Sequence, residues 1–103
     1  MDDIRLIAAD LSPNIISVNE TWLHHNINDE LVSIPNYRIF RHDRASKSGG
    51  GVAVWVSNSI QCYSVDLSII PCEINCVLLT LPICKLIFVS LYINPQTAVN
   101  NAV

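Results

Sequence analysis

Residues 14–23 read NIISVNETWL, and the rest of the chain is organised around this stretch. Pro13 precedes it, and its first half is a β-branched, apolar run that is typical of a buried strand. The run ends at the carboxylate of Glu20, and a polar turn with His24 and His25 follows. α/β enzymes hold catalytic or metal-binding acids at such strand ends, but a surface glutamate has the same spacing. The spacing leaves both interpretations open.

The composition indicates one small globular domain. Half of the 103 residues are hydrophobic and 15% are charged, which argues against disorder. The formal net charge of −3 leaves no large basic surface for nucleic acid. Four of the six cationic residues nevertheless fall within ten positions, at Arg38, Arg41, Arg44 and Lys47. This basic cluster is either a solvated turn between strands or a local binding surface.

The cysteines and the N-terminus bear on the compartment. Cys62, Cys72, Cys76 and Cys84 form no Cys-x-x-Cys pair, so we expect buried free thiols in a reducing compartment rather than a zinc site. The first residues lack the basic start and long apolar segment of a signal peptide. These features predict a nuclear or cytoplasmic protein that is not secreted.

Residues 74–93 are very apolar and long enough for a membrane span. Pro82 and Lys85 lie near the middle of this segment, where both would be costly in a bilayer. The segment is also rich in β-branched and aromatic residues. We therefore expect two buried strands and no membrane association.

The pattern along the chain predicts mostly strands. We expect the end of a helix in the first dozen residues, a short helical turn over 28–32, and a second helix from 98. The predicted strands cover residues 14–19, 37–42, 52–56, 60–65, 73–81 and 85–93. The last two are continuously apolar, as when both faces of a sheet are covered. So many strands need a second layer, which the chain hardly supplies.

Three consecutive glycines, residues 49–51, close a polar connection between the strands over 37–42 and 52–56. They predict a hairpin whose turn needs permissive dihedral angles or close backbone approach. Glycine-rich loops also bind phosphate, but such a loop needs a helix N-terminus after the glycines. A strand follows here, so we exclude a nucleotide loop.

Several motifs then fall in one order. A strand ends in Glu-Thr-Trp-Leu, Tyr-x-x-x-Arg-x-Asp-Arg follows, then Gly-Gly-Gly-Val-Ala-Val, and finally two apolar strands with Tyr92 before a proline-containing turn. This set, from about residue 11 to residue 96, resembles the endonuclease/exonuclease/phosphatase superfamily, and most closely the endonuclease domain of non-LTR retrotransposons. The resemblance implies an α/β (α+β) fold, a four-layered sandwich with two mixed sheets face to face and helices outside.

The resemblance also implies an activity, the hydrolysis of DNA phosphodiester bonds with a divalent metal. It assigns the metal, usually Mg²⁺ and possibly Mn²⁺, to Glu20, and contact with the scissile phosphate to Tyr92. An oxygen ligand of this kind suits magnesium. A buried tyrosine at the end of a core strand is the alternative for Tyr92. The hairpin over residues 38–51 resembles a family hairpin in which Arg41 and Arg44 either stabilise the fold or face DNA.

Family motifs that supply the general base are missing from these 103 residues. Relatives carry an Asn on a strand before the first helix, an Asp-x-Asn motif and an Asp-His pair, none of which occurs here. We therefore expect residues 1–103 to be one partial domain, truncated at both ends and inactive alone. The expected partners are DNA, the missing half of the domain and a reverse transcriptase domain in the same polyprotein.

Two alternatives remain open. The chain could be a non-catalytic relic or interaction module that binds a protein or a second copy of itself through the apolar sheet over residues 74–93. It could also belong to another phosphodiesterase or phosphatase of the same superfamily, because Glu20 is compatible with each of these substrates.

Overall fold

The computed structural model describes residues 1–43 and 50–92. These ranges contain a helix, α1, a short 3-10 helix and six strands. Every strand starts and ends within about one residue of its predicted position, and the two N-terminal helical predictions are confirmed. The helix predicted from residue 98 lies outside the described residues. The bounds are α1 Asp2–Leu11, β1 Ile15–Asn19, 3-10 helix Asp29–Val32, β2 Tyr37–His42, β3 Val52–Ser57, β4 Gln61–Val65, β5 Glu73–Thr80 and β6 Lys85–Tyr92.

The six described strands form two antiparallel sheets of three strands each. Sheet A has the order β1-β3-β2, and sheet B has the order β4-β5-β6. The predicted hairpin is confirmed, because β2 pairs with β3 from Tyr37 opposite Ser57 to His42 opposite Val52. Mixed pairing, which the resemblance implies, is not present among these strands. The described ranges thus form an α+β domain.

The expectation that the chain hardly supplies a second layer is wrong, because the two sheets cover each other. Val54 and Val56 of β3 are fully buried, and they share a hydrophobic cluster with Val77 and Leu79 of β5. Phe40 of β2 completes this cluster between the sheets. Burial of these apolar side chains is the main force that holds the sheets together.

The opposite face of sheet A packs under α1 and the 3-10 helix. Ala53 and Trp55 of β3 are buried there together with Ala8 of α1. The indole Nε1–H of Trp55 donates to the carbonyl of Val32 at 3.0 Å, so its polar atom is satisfied inside the core. Arg5 ties the helix to the same layer by donating to the carbonyls of Ser33 and Leu31. β3 is therefore covered on both faces.

The prediction that both final strands are covered on both faces holds for β5 but is wrong for β6. Five of the eight residues of β5 are buried, whereas five of the eight residues of β6 are exposed. The exposed fractions are 68% at Ile87, 45% at Val89 and 40% at Leu91. β6 is an edge strand of sheet B in the described ranges, and no described helix covers its outer face. A continuous apolar run does not show which faces of a strand are covered.

All four cysteines are free thiols, as predicted, but their burial varies. Cys76 is buried, Cys62 and Cys72 are half-buried, and Cys84 is exposed, which corrects the expectation for that residue. Cys84 lies in the turn between β5 and β6, where the side chain points away from both sheets' shared core. Among the described residues, no helix has the length and apolar character needed to cross a bilayer.

Candidate functional site

The strand ends of both sheets meet at one edge of the domain. In sheet A, Asn19 at the end of β1 and His42 at the end of β2 both lie opposite Val52 at the start of β3. In sheet B, Glu73 at the start of β5 lies opposite Tyr92 at the end of β6. This shared edge, which we call the site edge, is where the chain leaves β1 toward Glu20.

Hydrogen bonds between the sheets join the two halves of the site edge. Ser90 of β6 lies 3.0 Å (Oγ to Oγ) from Ser17 and donates to Oδ1 of Asn19 at 3.2 Å. Nearby, Asn75 donates through Nδ2 to the carbonyls of Phe40 and Val52 at 3.0 and 3.1 Å. Asn75 and Ser90 are 8% and 6% exposed, so their polar atoms need these partners. Both sheets are therefore held in one register at this edge.

The structure thus brings the two predicted site residues to the same edge. Glu20 directly follows Asn19, and Tyr92 lies two residues beyond Ser90 on the same strand. Because strand side chains alternate, Tyr92 and Ser90 project from the same face of β6. Glu20 is exposed, as a metal ligand open to substrate would be, and Tyr92 is half-buried.

The backbone at Glu20 is bent sharply and clamped to the glycine run. Glu20 and Trp22 have φ angles of +55° and +59°, in the left-handed region that ordinary residues rarely adopt. Each such residue costs about 1–2 kcal/mol. The N–H of Glu20 donates to the carbonyl of Gly51 at 2.8 Å, and the N–H of Trp22 donates to that of Gly50 at 3.0 Å. The clamp fixes the backbone from which the Glu20 side chain projects.

The clamp explains one of the three glycines. Gly51 has a φ of +85°, and a Cβ built there would lie 2.7 Å from Oγ1 of Thr21. A side chain at this position would therefore have to displace Thr21. The predicted need for permissive dihedral angles is confirmed, because Gly50 also has a positive φ, of +66°. Gly49 lies outside the described residues.

Arg41 stabilises the fold, which decides between the two roles that the sequence left open. Its guanidinium makes five hydrogen bonds: to both carboxylate oxygens of Asp43 at 3.1 and 2.7 Å, to the carboxylate of Asp29 at 3.0 Å, and to the carbonyls of Ile27 and His24 at 2.8 and 3.0 Å. All five of its N–H donors are used. The hydrogen bond to Asp43 is the largest cause of a raised pKa at Arg41. Arg41 anchors the loop that follows the Glu20 turn.

The other predicted basic residues do not form a described surface with Arg41. Arg38 donates to the carbonyl of Cys62 at 3.0 Å, and its guanidinium lies 4.8 Å from the centre of the Phe40 ring. The hydrogen bond to Cys62 holds β2 against sheet B, whereas the contact with the Phe40 ring lies within β2. Arg44 and Lys47 lie outside the described residues.

The three histidines lie in two different environments. His24 and His25 are exposed, but His42 is the last residue of β2 and half-buried. Its Nδ1 lies 2.9 Å from the carbonyl oxygen and 3.3 Å from the amide nitrogen of Ile74. The ring therefore bridges the two sheets at the site edge.

Glu20 would supply a single protein carboxylate to a cation. Within residues 1–43 and 50–92, no three His, Cys, Asp or Glu side chains converge as a ready-made metal centre. Magnesium is commonly held by one or two carboxylates, with water and substrate phosphate as its other ligands. A single exposed carboxylate such as Glu20 suits a hard cation held in this way.

Sequence reasoning missed the polar residues that join the sheets. Asn75 and Ser90 each interrupt an apolar strand, and they lie directly opposite one another in sheet B. Two polar residues within otherwise apolar runs are a signal of a buried polar contact. Their partners in sheet A could not be read from the sequence, because Ser17 is 73 residues from Ser90 along the chain.

Comparison with known proteins does not assign the chain to a family. No family model matches it, and no curated protein is significantly similar to it. The fold defines its class as an α+β domain of two packed antiparallel sheets.

Proposed function

We propose that the chain is part of a divalent-metal-dependent phosphodiesterase of the endonuclease/exonuclease/phosphatase type, acting on DNA as retrotransposon endonucleases do. The observation that carries the proposal is the common edge of Glu20 and Tyr92, which lie 72 positions apart in sequence yet beside one cross-sheet hydrogen bond. The face-to-face sheets, with α1 outside sheet A, supply three of the four layers that this fold requires.

In this proposal Glu20 holds Mg²⁺ or Mn²⁺, and water and substrate phosphate supply the other ligands. When bound, the cation polarises the scissile phosphate and stabilises charge on the leaving oxygen. The hydrogen bonds to the glycines fix the backbone of Glu20, and Tyr92 orients the phosphate from the other sheet. A second part of the domain supplies the group that activates water, and the reverse transcriptase domain of the same polyprotein uses the cut DNA.

The site is tested by metal binding to the purified chain. Two-dimensional amide spectra recorded with Mg²⁺ should shift near Glu20 and Tyr92, and Mn²⁺ should broaden the same resonances. We expect Glu20→Gln to weaken Mn²⁺ binding at least about tenfold, because it removes the charged ligand. Glu30→Gln is the matched control, since Glu30 is an exposed acid on the 3-10 helix.

Broadening centred on Glu30, or equal affinity in Glu20→Gln and the parent chain, would contradict the site. Plasmid nicking then separates binding from chemistry. We expect no nicking by this chain with Mg²⁺, because the base for the attacking water is missing. If the parent chain nicks the plasmid and Glu20→Gln does not, the expected inactivity is wrong, but the metal site at Glu20 is supported.

A second candidate function, a non-catalytic interaction module, is favoured by the outer face of sheet B. Strand alternation places a line of apolar side chains on this face of β4, β5 and β6. Lys85 is the one charged residue of these three described strands that lies on the face. The outermost members are Tyr63, Ile87, Val89 and Leu91, each 40% exposed or more. Exposed apolar patches of this kind mark interaction sites. A face with so little charge does not repel a copy of itself, so a second copy is the occupant that we assign to it.

Self-association through this face predicts a mass that rises with concentration in sedimentation velocity. Ile87→Lys should restore the monomer, because it buries a charge in the interface. Leu11→Lys is the control, since Leu11 is 73% exposed on α1, away from sheet B. At about 1 mM, only a dimer whose free energy of association is weaker than roughly 4 kcal/mol escapes detection. A chain that stays monomeric at every concentration up to this value would exclude this function.

A further inference from the structure

Ser90, at the site edge, is a buried polar residue within the apolar run of β6. Its neighbours in sequence, Val89 and Leu91, are apolar and project to the outer face of sheet B, whereas Ser90 faces sheet A. A hydroxyl has one proton to donate. Since Ser90 donates to Asn19, the proton between Ser17 and Ser90 must come from Ser17. The three side chains form a directed chain of hydrogen bonds from Ser17 through Ser90 to Asn19.

This chain of hydrogen bonds is not needed for packing. An apolar side chain would fill the same space between the sheets and avoid the cost of burying a hydroxyl. The hydroxyl favours one alignment of the two sheets, because its hydrogen bonds form only when β6 lies in this position against β1. A slip of either strand by one residue would turn Ser90 away from Asn19 and leave a buried polar group unpaired.

We infer that Ser90 is a positioning residue, which sets the placement of Glu20 relative to Tyr92 through its hydrogen bond to Asn19. The inference rests on the proposed function for its chemical consequence, but its structural content is independent of any metal. Glu20 is attached directly to Asn19, and Tyr92 shares a strand face with Ser90. The hydrogen bond therefore joins the strand that precedes the carboxylate to the strand that carries the phenol.

The first test is made in the metal-free protein. We expect Ser90→Ala to shift the amide resonances of both Glu20 and Tyr92 in a two-dimensional spectrum, since the link between their strands is broken. Ser90→Thr keeps the hydroxyl and should leave Glu20 near its parent position. Arg38→Met is the matched control, because it removes a different cross-sheet hydrogen bond, to the carbonyl of Cys62. It should shift neither site residue.

The second test is made with Mn²⁺. Residues that orient a metal ligand typically change metal affinity by about 10–100-fold when they are replaced, and we expect the lower end of this range for Ser90→Ala. Ser90→Thr should restore the affinity and Arg38→Met should leave it unchanged. If Ser90→Ala fails to fold, Asn19→Ala removes the acceptor of the same hydrogen bond at a residue that is exposed.

The outcomes separate this inference from the proposed function. Mn²⁺ binding at Glu20 that Ser90→Ala does not alter overturns the positioning role and leaves the metal site standing. Absence of Mn²⁺ binding at Glu20 in the parent chain overturns the proposed function. In that case the metal-free spectrum still decides the role of Ser90, since an unshifted Glu20 amide in Ser90→Ala contradicts it.

Discussion

Replacement of Arg41 by alanine is expected to lower the free energy of unfolding by about 3 kcal/mol, because it breaks a largely buried network of charges and hydrogen bonds. The side chains of Arg41 and Asp43 are 13% and 17% exposed. Without the guanidinium, the Asp43 carboxylate stays in this site with no ion pair to any residue that the structure describes. The carbonyls of His24 and Ile27 also lose the donors that hold their loop. Urea denaturation measures the loss.

Two further variants identify the cause of that loss. Arg41→Lys keeps the charge but has three donors on one nitrogen, which cannot reach five acceptors, so most of the destabilisation should remain. Arg38→Ala removes an exposed arginine with one hydrogen bond and should cost about 1 kcal/mol or less. Equal losses for Arg38→Ala and Arg41→Ala would show that Arg41 does not anchor the loop. Faster amide exchange over residues 24–29 in Arg41→Ala is expected as the local signature.

Replacement of Gly51 by alanine is the second large expected effect, a loss of about 3 kcal/mol from two sources. A φ of +85° is strained for any residue with a Cβ, and that Cβ would meet Oγ1 of Thr21 at 2.7 Å. The turn after β1 must move away, which loosens the hydrogen bond from Glu20 to Gly51. Urea denaturation and Mn²⁺ titration measure the two consequences.

The double variant Gly51→Ala with Thr21→Ala separates the two sources. It removes the clashing oxygen but retains the unfavourable φ, so it should be more stable than Gly51→Ala with Thr21 intact. Thr21→Ala alone removes a hydrogen bond from the N–H of Leu23 to Oγ1 at 3.3 Å and should cost about 1 kcal/mol. Parent-like stability in Gly51→Ala would contradict both the strain at the φ of Gly51 and the clash with Oγ1 of Thr21.

Local pattern predicted the strands well because the signals that define them are short in range. The hairpin of β2 and β3 followed from two β-rich runs and the glycines between them. The same pattern failed for β6, where Ile87 and Val89 are as apolar as buried residues yet face outward. Hydrophobicity identifies a strand, but which faces are covered depends on the elements packed against it.

The amino-acid sequence alone determined the bounds of the six strands, the need for glycine in the connection between β2 and β3, and the place of Glu20 at a strand end. Each of these depends on residues close together in the chain, where alternation, β-branching and turn chemistry act.

The tertiary structure alone decided which strands belong to which sheet, that Arg41 stabilises the fold, and that Ser90 faces Asn19. These features depend on groups that are distant in sequence, such as Ser90 and Asn19, 71 residues apart. Sequence spacing does not encode such pairs, because they exist only once buried apolar faces have set the register of one sheet on the other.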